Sequence, residues 1–82
     1  MTGDDIWAVV CRHVREVLTD VKDGDIRPDR TLEDLGANSL DRIDIVVGVL
    51  DELRLKISPE ELVAAPDLGG LASLFHSRSG QP

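Results

Sequence analysis

Apolar residues recur at helical spacing along two stretches of this 82-residue chain, and no stretch alternates between polar and apolar residues as a strand would. The first stretch, about residues 4–19, predicts an amphipathic helix with an acidic start and with Trp7 as a core residue. The second stretch begins at Asn38 or Ser39, both favoured as helix caps, and runs to about Leu53. The pattern therefore predicts an all-α fold.

Turn-forming and helix-capping residues occur at intervals along the rest of the chain. Residues 20–38 form a long connection, in which Gly36 suits the left-handed end of a single helical turn. Ser58 is a favourable cap for a short helix over about residues 59–64, and Asp67 caps a last helix. Together these elements predict a small four-helix bundle, with three main helices, a short third helix and a long first loop.

The chain is short enough to form one domain, which we place over residues 1–82. We expect its helical core at about residues 4–76 and a disordered polar tail at 77–82. A domain of this size buries a modest core and has no room for a deep substrate cleft as well.

The charge and hydropathy of the chain exclude some partners. A net charge of −7 without Lys/Arg clusters argues against nucleic acid and against anionic membranes. No apolar run approaches the roughly 20 residues that cross a bilayer, and the acidic start lacks the features of a secretory signal. We expect a cytoplasmic monomer. Its acidity either favours docking to basic protein surfaces or serves solubility alone.

The metal-binding and redox-active residue types are not clustered in the sequence. Cys11 is the only cysteine, so it forms no internal disulfide and most simply fills an apolar space beside a helix. His13 and His76 are far apart, and neither has neighbours at zinc-site or catalytic-triad spacing. We expect both to be ordinary surface histidines and the chain to bind no metal.

Ser39 follows a turn and lies at the N-terminus of the second predicted helix. A catalytic serine needs a base, an oxyanion hole and a pocket, and the chain has no Gly-x-Ser-x-Gly elbow and no obvious base. A small hydrolase is therefore disfavoured. Ser39 either caps the helix or is modified by another enzyme.

The second helix is apolar over more than half of its circumference, which is more than a small domain can bury. Leu40 and Val47 border its acidic strip, so we expect these two side chains to be exposed. Exposed apolar residues beside carboxylates are typical of a docking surface. The alternative is that a loop covers all of them as part of the core.

The run from Leu35 to Asp41, Leu-Gly-Ala-Asn-Ser-Leu-Asp, resembles the attachment motif of acyl carrier proteins. The resemblance covers nearly the whole chain, including the helix order, the long first loop and the short third helix. It implies that Ser39 carries 4′-phosphopantetheine, installed from coenzyme A by a separate phosphopantetheinyl transferase with magnesium. The thiol of this arm would carry acyl groups as thioesters between partner enzymes, and the chain would have no catalytic residues of its own.

The resemblance also assigns residues on the second helix. The family's partner-recognition positions, apolar or acidic, correspond here to Leu40, Asp41, Asp44, Val47, Asp51 and Glu52. Positions that line the acyl pocket of fatty-acid carriers correspond to Ile45, Val46 and Val49. Asn38 departs from the family by replacing the usual Asp, which puts the choice of transferase in question. Arg42 is also unexpected: one turn from Ser39, it either meets the phosphate or a partner, as a candidate specificity residue, or merely lies on the surface.

The residues around Ser39 are similar to those of discrete carriers of polyketide assembly lines, especially in β-branching cassettes. There a stand-alone carrier donates an acetyl group to a hydroxymethylglutaryl-CoA-synthase-like enzyme. Acceptor carriers tend to have Trp where this chain has Ile45, which fits a donor better. The expected partners are that enzyme, an acyltransferase or a ketosynthase. The alternatives are a fatty-acid carrier, a peptidyl carrier, against which Ala37 speaks, and a helical interaction module that is never modified.

Overall fold

The structure is a computed structural model that describes residues 2–79. Within this range the chain forms four α-helices and no strand, which confirms the expected all-α bundle with its short third helix. The helices are α1 (Gly3–Val17), α2 (Ser39–Leu53), α3 (Pro59–Ala64) and α4 (Leu68–Ser79). A 3₁₀ turn at Asp23–Asp25 lies in the long connection between α1 and α2.

Three of the helices begin with a capping box. Thr2, Asn38 and Ser58 each accept a hydrogen bond from the backbone N–H three residues on, and the acidic side chain at that position accepts one from the N–H of the cap. Each box satisfies backbone donors that the helix leaves without an intrahelical acceptor. Helix α4 starts more simply, because the Asp67 carboxylate accepts from the Gly70 N–H at 2.8 Å.

The core lies where α1 packs against both α2 and α4, whereas α3 makes few contacts with the other helices. The side chains that are almost completely buried are Ile6, Val10, Val14, Ile45, Val49, Leu68 and Phe75. Trp7, expected in the core, is only partly buried and packs against its edge, as does Cys11. Burial raises the pKa of the Cys11 thiol, which agrees with an apolar packing role.

The long connection between α1 and α2 is held against the bundle and the start of α4. Ile26 and Leu32 are buried, and the Gly69 N–H donates to the Pro28 carbonyl at 2.9 Å. A Cβ at position 69 would lie 2.9 Å from the Cβ of Pro28, so only glycine allows this approach. Gly36, with a φ of 89°, ends the turn just before α2, as its sequence context predicts.

The helix ends differ slightly from the sequence-based expectation. Helix α1 ends at Val17, somewhat earlier than predicted, whereas α4 continues through Ser79. The prediction of a tail over residues 77–79 is therefore wrong. These residues extend α4 because neither glycine nor proline occurs among residues 77–79. The rest of the predicted tail, residues 80–82, lies outside the described residues.

Candidate functional site

Ser39 is the first residue of α2 and is exposed. The residue before it caps the helix: Asn38 Oδ1 accepts from the Asp41 N–H at 2.8 Å, and the Asp41 carboxylate accepts from the Asn38 N–H at 3.2 Å. The alternative in which Ser39 caps the helix is therefore wrong, and its hydroxyl is not needed to start α2. An amide oxygen caps a helix as well as a carboxylate oxygen does, so Asn38 preserves this start.

His13 is not the surface residue that the sequence suggested. Its side chain is only 16 % exposed and lies between α1 and α2, with Nε2 at 2.8 Å from Glu52 Oε1. A Cβ on Gly48 would lie 2.6 Å from its Nδ1, so the missing side chain at that position makes room for the imidazole. Glu52 is more than three turns, about 20 Å, along α2 from Ser39, so His13 is too distant to act as its base.

Glu52 ties α2 to α1 through two donors, Arg12 and His13, which both bond to its Oε1. The hydrogen bond from Arg12 is the main reason that the pKa of Glu52 lies below its ordinary value of 4.5, and the bond from His13 adds to the effect. Glu61 on α3 is held in the same way by Arg78 on α4, which also lowers its pKa. Both carboxylates thus serve contacts between helices.

A groove of about 540 Å³ opens beside Ser39 and runs between α2 and α3. Its lining is apolar except for Ser39 and Arg42. The apolar residues that line it are Ile43, Val46, Val47, Leu50, Ile57, Pro59, Leu62 and Val63. The groove exists because the short α3 does not pack closely against α2. Its volume falls within the range of small-molecule sites, about 300–1,000 Å³.

The outward side of α2 combines apolar side chains with carboxylates. Leu40 and Val47 are 72 % and 46 % exposed, so the alternative in which a loop covers them is wrong. At about 100° per residue, these two side chains fall within about 60° of Asp44 and Asp51 on the helix circumference. We call these four residues the outward stripe.

Sequence reasoning missed two exposed apolar residues next to this stripe. Ile43 is 56 % exposed, and Val63 on α3 is 69 % exposed. Both line the groove together with Val47, so the exposed apolar surface continues from α2 across to α3. The spacing of Ile43, three residues after Leu40 and four before Val47, was the available signal.

Three residues expected to recognise partners lie off the outward stripe. Asp41 and Glu52 are about 90–110° away from it around α2, in the capping box and in the contact with α1. Arg42 lies on the opposite side of the helix, where its Nη1 donates to Glu33 Oε1 at 3.0 Å. The structure thus brings together four of the seven predicted residues, and a recognition role for all seven stays a prediction.

Residues 8–75 match the family described as "Phosphopantetheine attachment site". The chain belongs to the acyl carrier protein family. The carrier is also 34 % identical over 73 residues to the polyketide biosynthesis acyl-carrier-protein AcpK of Bacillus subtilis (strain 168), and the alignment covers 89 % of each chain. Among solved structures, none gives a significant match to this carrier.

Family membership defines the class of chemistry. The carrier has a covalently attached 4′-phosphopantetheine group and is not an enzyme. Carriers of this type interact with a phosphopantetheinyl transferase and with biosynthetic enzymes. Along the part of the chain that the structure describes, none of the helices combines the length and the hydrophobicity that a membrane span requires. In the same residues, no His, Cys, Asp and Glu side chains are grouped to hold a metal ion.

The start of α2 fits a phosphopantetheine group. Ser39 offers an exposed hydroxyl, and the N-terminus of a helix favours a phosphate through its backbone N–H groups and its dipole. Arg42 adds a cation, and the apolar groove adds a surface that suits an acyl chain. When bound, the group supplies a terminal thiol that carries acyl groups as thioesters.

Proposed function

We propose that Ser39 is the attachment residue and that the carrier presents acyl groups to the enzymes of a polyketide pathway. The observation that carries this proposal is the exposed Ser39 at the first position of a helix that another residue already caps. The motif around it, the family match and the named relative support the same assignment. A flexible arm of roughly 20 Å gives the acyl group a high effective concentration at each partner.

Loading the purified protein tests the attachment. Incubation with coenzyme A, magnesium and a promiscuous phosphopantetheinyl transferase should raise the intact mass by one phosphopantetheinyl group. The Ser39→Ala variant should show no gain. The matched control Ser58→Ala, which removes the serine that caps α3, should still be loaded. A wild-type chain that gains no mass would favour the unmodified interaction module, and a Ser39→Ala variant that is loaded would place the arm elsewhere.

We further propose that partner enzymes dock on the outward stripe of α2. Leu40 and Val47 supply an exposed apolar centre, which suits the core of a transient interface. Asp44 and Asp51 supply negative charge beside it, which complements a basic rim and increases the rate of association. Asp41 and Glu52 are engaged within the chain, so we assign them a structural role first.

Within polyketide biosynthesis, we propose the role of acetyl donor in β-branching. The support is the motif around Ser39 and the isoleucine at position 45, where acceptor carriers tend to have Trp. Ile45 is 2 % exposed, so a Trp in its place would require the core to be repacked. The polyketide function of the Bacillus subtilis relative supports the pathway, but it does not distinguish donor from acceptor.

A reconstituted reaction separates donor from acceptor. The carrier is loaded with an acetyl thioester and mixed with a hydroxymethylglutaryl-CoA-synthase-like enzyme and a second carrier that bears an acetoacetyl thioester. A donor should lose its acetyl group as a branched product accumulates on the second carrier, followed by intact mass. In the reverse arrangement, with the acetoacetyl group on this carrier, little product should form. Turnover only in the reverse arrangement would contradict the donor role and leave the attachment at Ser39 intact.

A further inference from the structure

Among the residues that the structure describes, Arg42 is the one cation that lines the groove beside Ser39. We propose that its guanidinium positions the phosphodiester of the arm by bridging the phosphate on Ser39 to Glu33 in the first loop. This inference rests on the proposed attachment at Ser39. It makes Arg42 a positioning residue and so gives a role to a side chain that departs from the family pattern.

The direction of the Arg42 side chain places it near the attachment residue. Arg42 and Ser39 are three residues apart on α2, so they are neighbours on the helix surface with Cβ atoms about 5–6 Å apart. Long side chains on a helix lean toward its N-terminus and cover the preceding turn, which here begins at Ser39. Accordingly, both residues line the mouth of the same groove.

Arg42 has donors left over for a phosphate. Its Nη1 donates to Glu33 Oε1 at 3.0 Å, and a guanidinium has five N–H donors in a planar fork. The side chain is 38 % exposed, so part of this fork remains accessible. Arginine binds phosphate oxygens through paired hydrogen bonds, which restrict orientation as well as position.

The surrounding negative charges favour a contact between the phosphate and the guanidinium of Arg42. Glu33 and Asp67 line a second, small cavity together with Arg42, and Asp41 lies in the same helical turn. A phosphodiester adds a further negative charge to a chain whose net charge is already −7. Arg42 offsets that repulsion. The bridge holds the base of the arm at the mouth of the groove and connects it to the first loop.

The side-chain resonances of the arginines test the bridge in the intact protein. With ¹⁵N-labelled carrier, the Nε–H resonance of Arg42 should shift when the wild-type protein is loaded with phosphopantetheine. Arg54 is the matched control, since it ends the same helix about 18 Å away, and its resonance should not move. An unmoved Arg42 resonance in a protein whose mass confirms loading at Ser39 would overturn the bridge. Absence of loading would instead overturn the attachment.

Variants give an independent readout at the phosphorus. The ³¹P resonance of the loaded Arg42→Gln variant should differ from that of the loaded wild type, and Arg54→Gln should match the wild type. Arg42→Lys, which retains a cation but not the planar fork, should give an intermediate shift and guards against a general loss of structure. If Arg42→Gln is merely loaded more slowly and its ³¹P resonance matches the wild type, Arg42 contacts the transferase and the proposal fails.

Discussion

The two sides of α2 differ in burial and in what lies beside them. Toward α1, Ile45 and Val49 are buried, and Glu52 is bonded to side chains of α1. On the other side, Leu40 and Val47 are exposed, and a groove separates α2 from α3. One side of the helix holds the fold together, and the opposite side leaves apolar surface exposed, where we propose that partners dock.

This division explains why the apolar residues of α2 form no narrow stripe. A helix that only packs against a core needs an apolar arc of about 100°. Helix α2 has a second apolar region, around Ile43 and Val47, which the bundle does not cover. Substitutions on the side facing α1 should therefore change mainly stability, and substitutions on the exposed side should change mainly function.

The largest expected effect comes from truncating an isoleucine on the α1 side. Ile45→Ala should lower the free energy of unfolding by about 2–5 kcal/mol, because it removes buried methyl groups and leaves a cavity. Ile43→Ala is the matched variant on the outward side, and it should cost less than about 1 kcal/mol. Urea denaturation of both proteins measures the difference. Equal losses would remove the distinction between the two sides.

The contact between His13 and Gly48 predicts that the effect of Gly48→Ala on stability changes sign when the imidazole is removed. Gly48→Ala should destabilise the wild-type protein by about 1–3 kcal/mol, since the new Cβ displaces an imidazole that is bonded to Glu52. In a His13→Ala background the same substitution should stabilise by about 1 kcal/mol, because alanine is the better helix former. Thermal or chemical denaturation of the four proteins in this cycle checks both signs. A Gly48→Ala substitution that stabilises both backgrounds would show that the imidazole does not constrain position 48.

Charge reversal on the outward stripe should affect rates and leave the fold unchanged. Asp44→Lys with Asp51→Lys should slow loading by the transferase about tenfold at low salt and much less at high salt, where exposed charges are screened. The matched control is Asp20→Lys with Asp29→Lys, which changes the net charge equally in the first loop. Equal slowing by both pairs would point to net charge alone, and no slowing would exclude the stripe from docking.

The smallest expected effect is the pH dependence of the Glu52 contact. The pKa of Glu52 is lower in the folded chain than its ordinary value of 4.5, so its contribution to stability is present above pH 4.5. That contribution is lost as the pH falls through the lower, folded-state pKa, when the carboxylate is protonated. Glu52→Gln should therefore flatten the acid side of the stability profile measured by urea denaturation. Parallel acid profiles for variant and wild type would contradict the assignment.

Much of the fold follows from local sequence signals. The capping residues at positions 38 and 58, the glycine at position 36 and the helical spacing on α2 each act through neighbours within a few residues. The exposure of Leu40 and Val47 was also predictable, because α2 has more apolar residues than a small bundle can bury.

Several features that sequence reasoning missed involve contacts between distant segments. Nothing near His13 in the sequence indicates that it fills the space beside Gly48, which lies on another helix. The engagement of Glu52 by α1 and of Arg42 by the first loop depends on how the elements pack. Periodicity identifies the face of a helix that a residue occupies, but not which partner reaches that face.

Methyl-group NMR with the transferase tests the division of α2 most directly. Titration of unlabelled phosphopantetheinyl transferase into carrier with labelled methyl groups should broaden or shift the resonances of Leu40, Ile43 and Val47. The resonances of Ile45 and Val49, on the side facing α1, should stay unchanged. If the buried methyl groups respond as strongly as the exposed ones, or the exposed ones do not respond, the two sides of α2 do not have the separate roles described above.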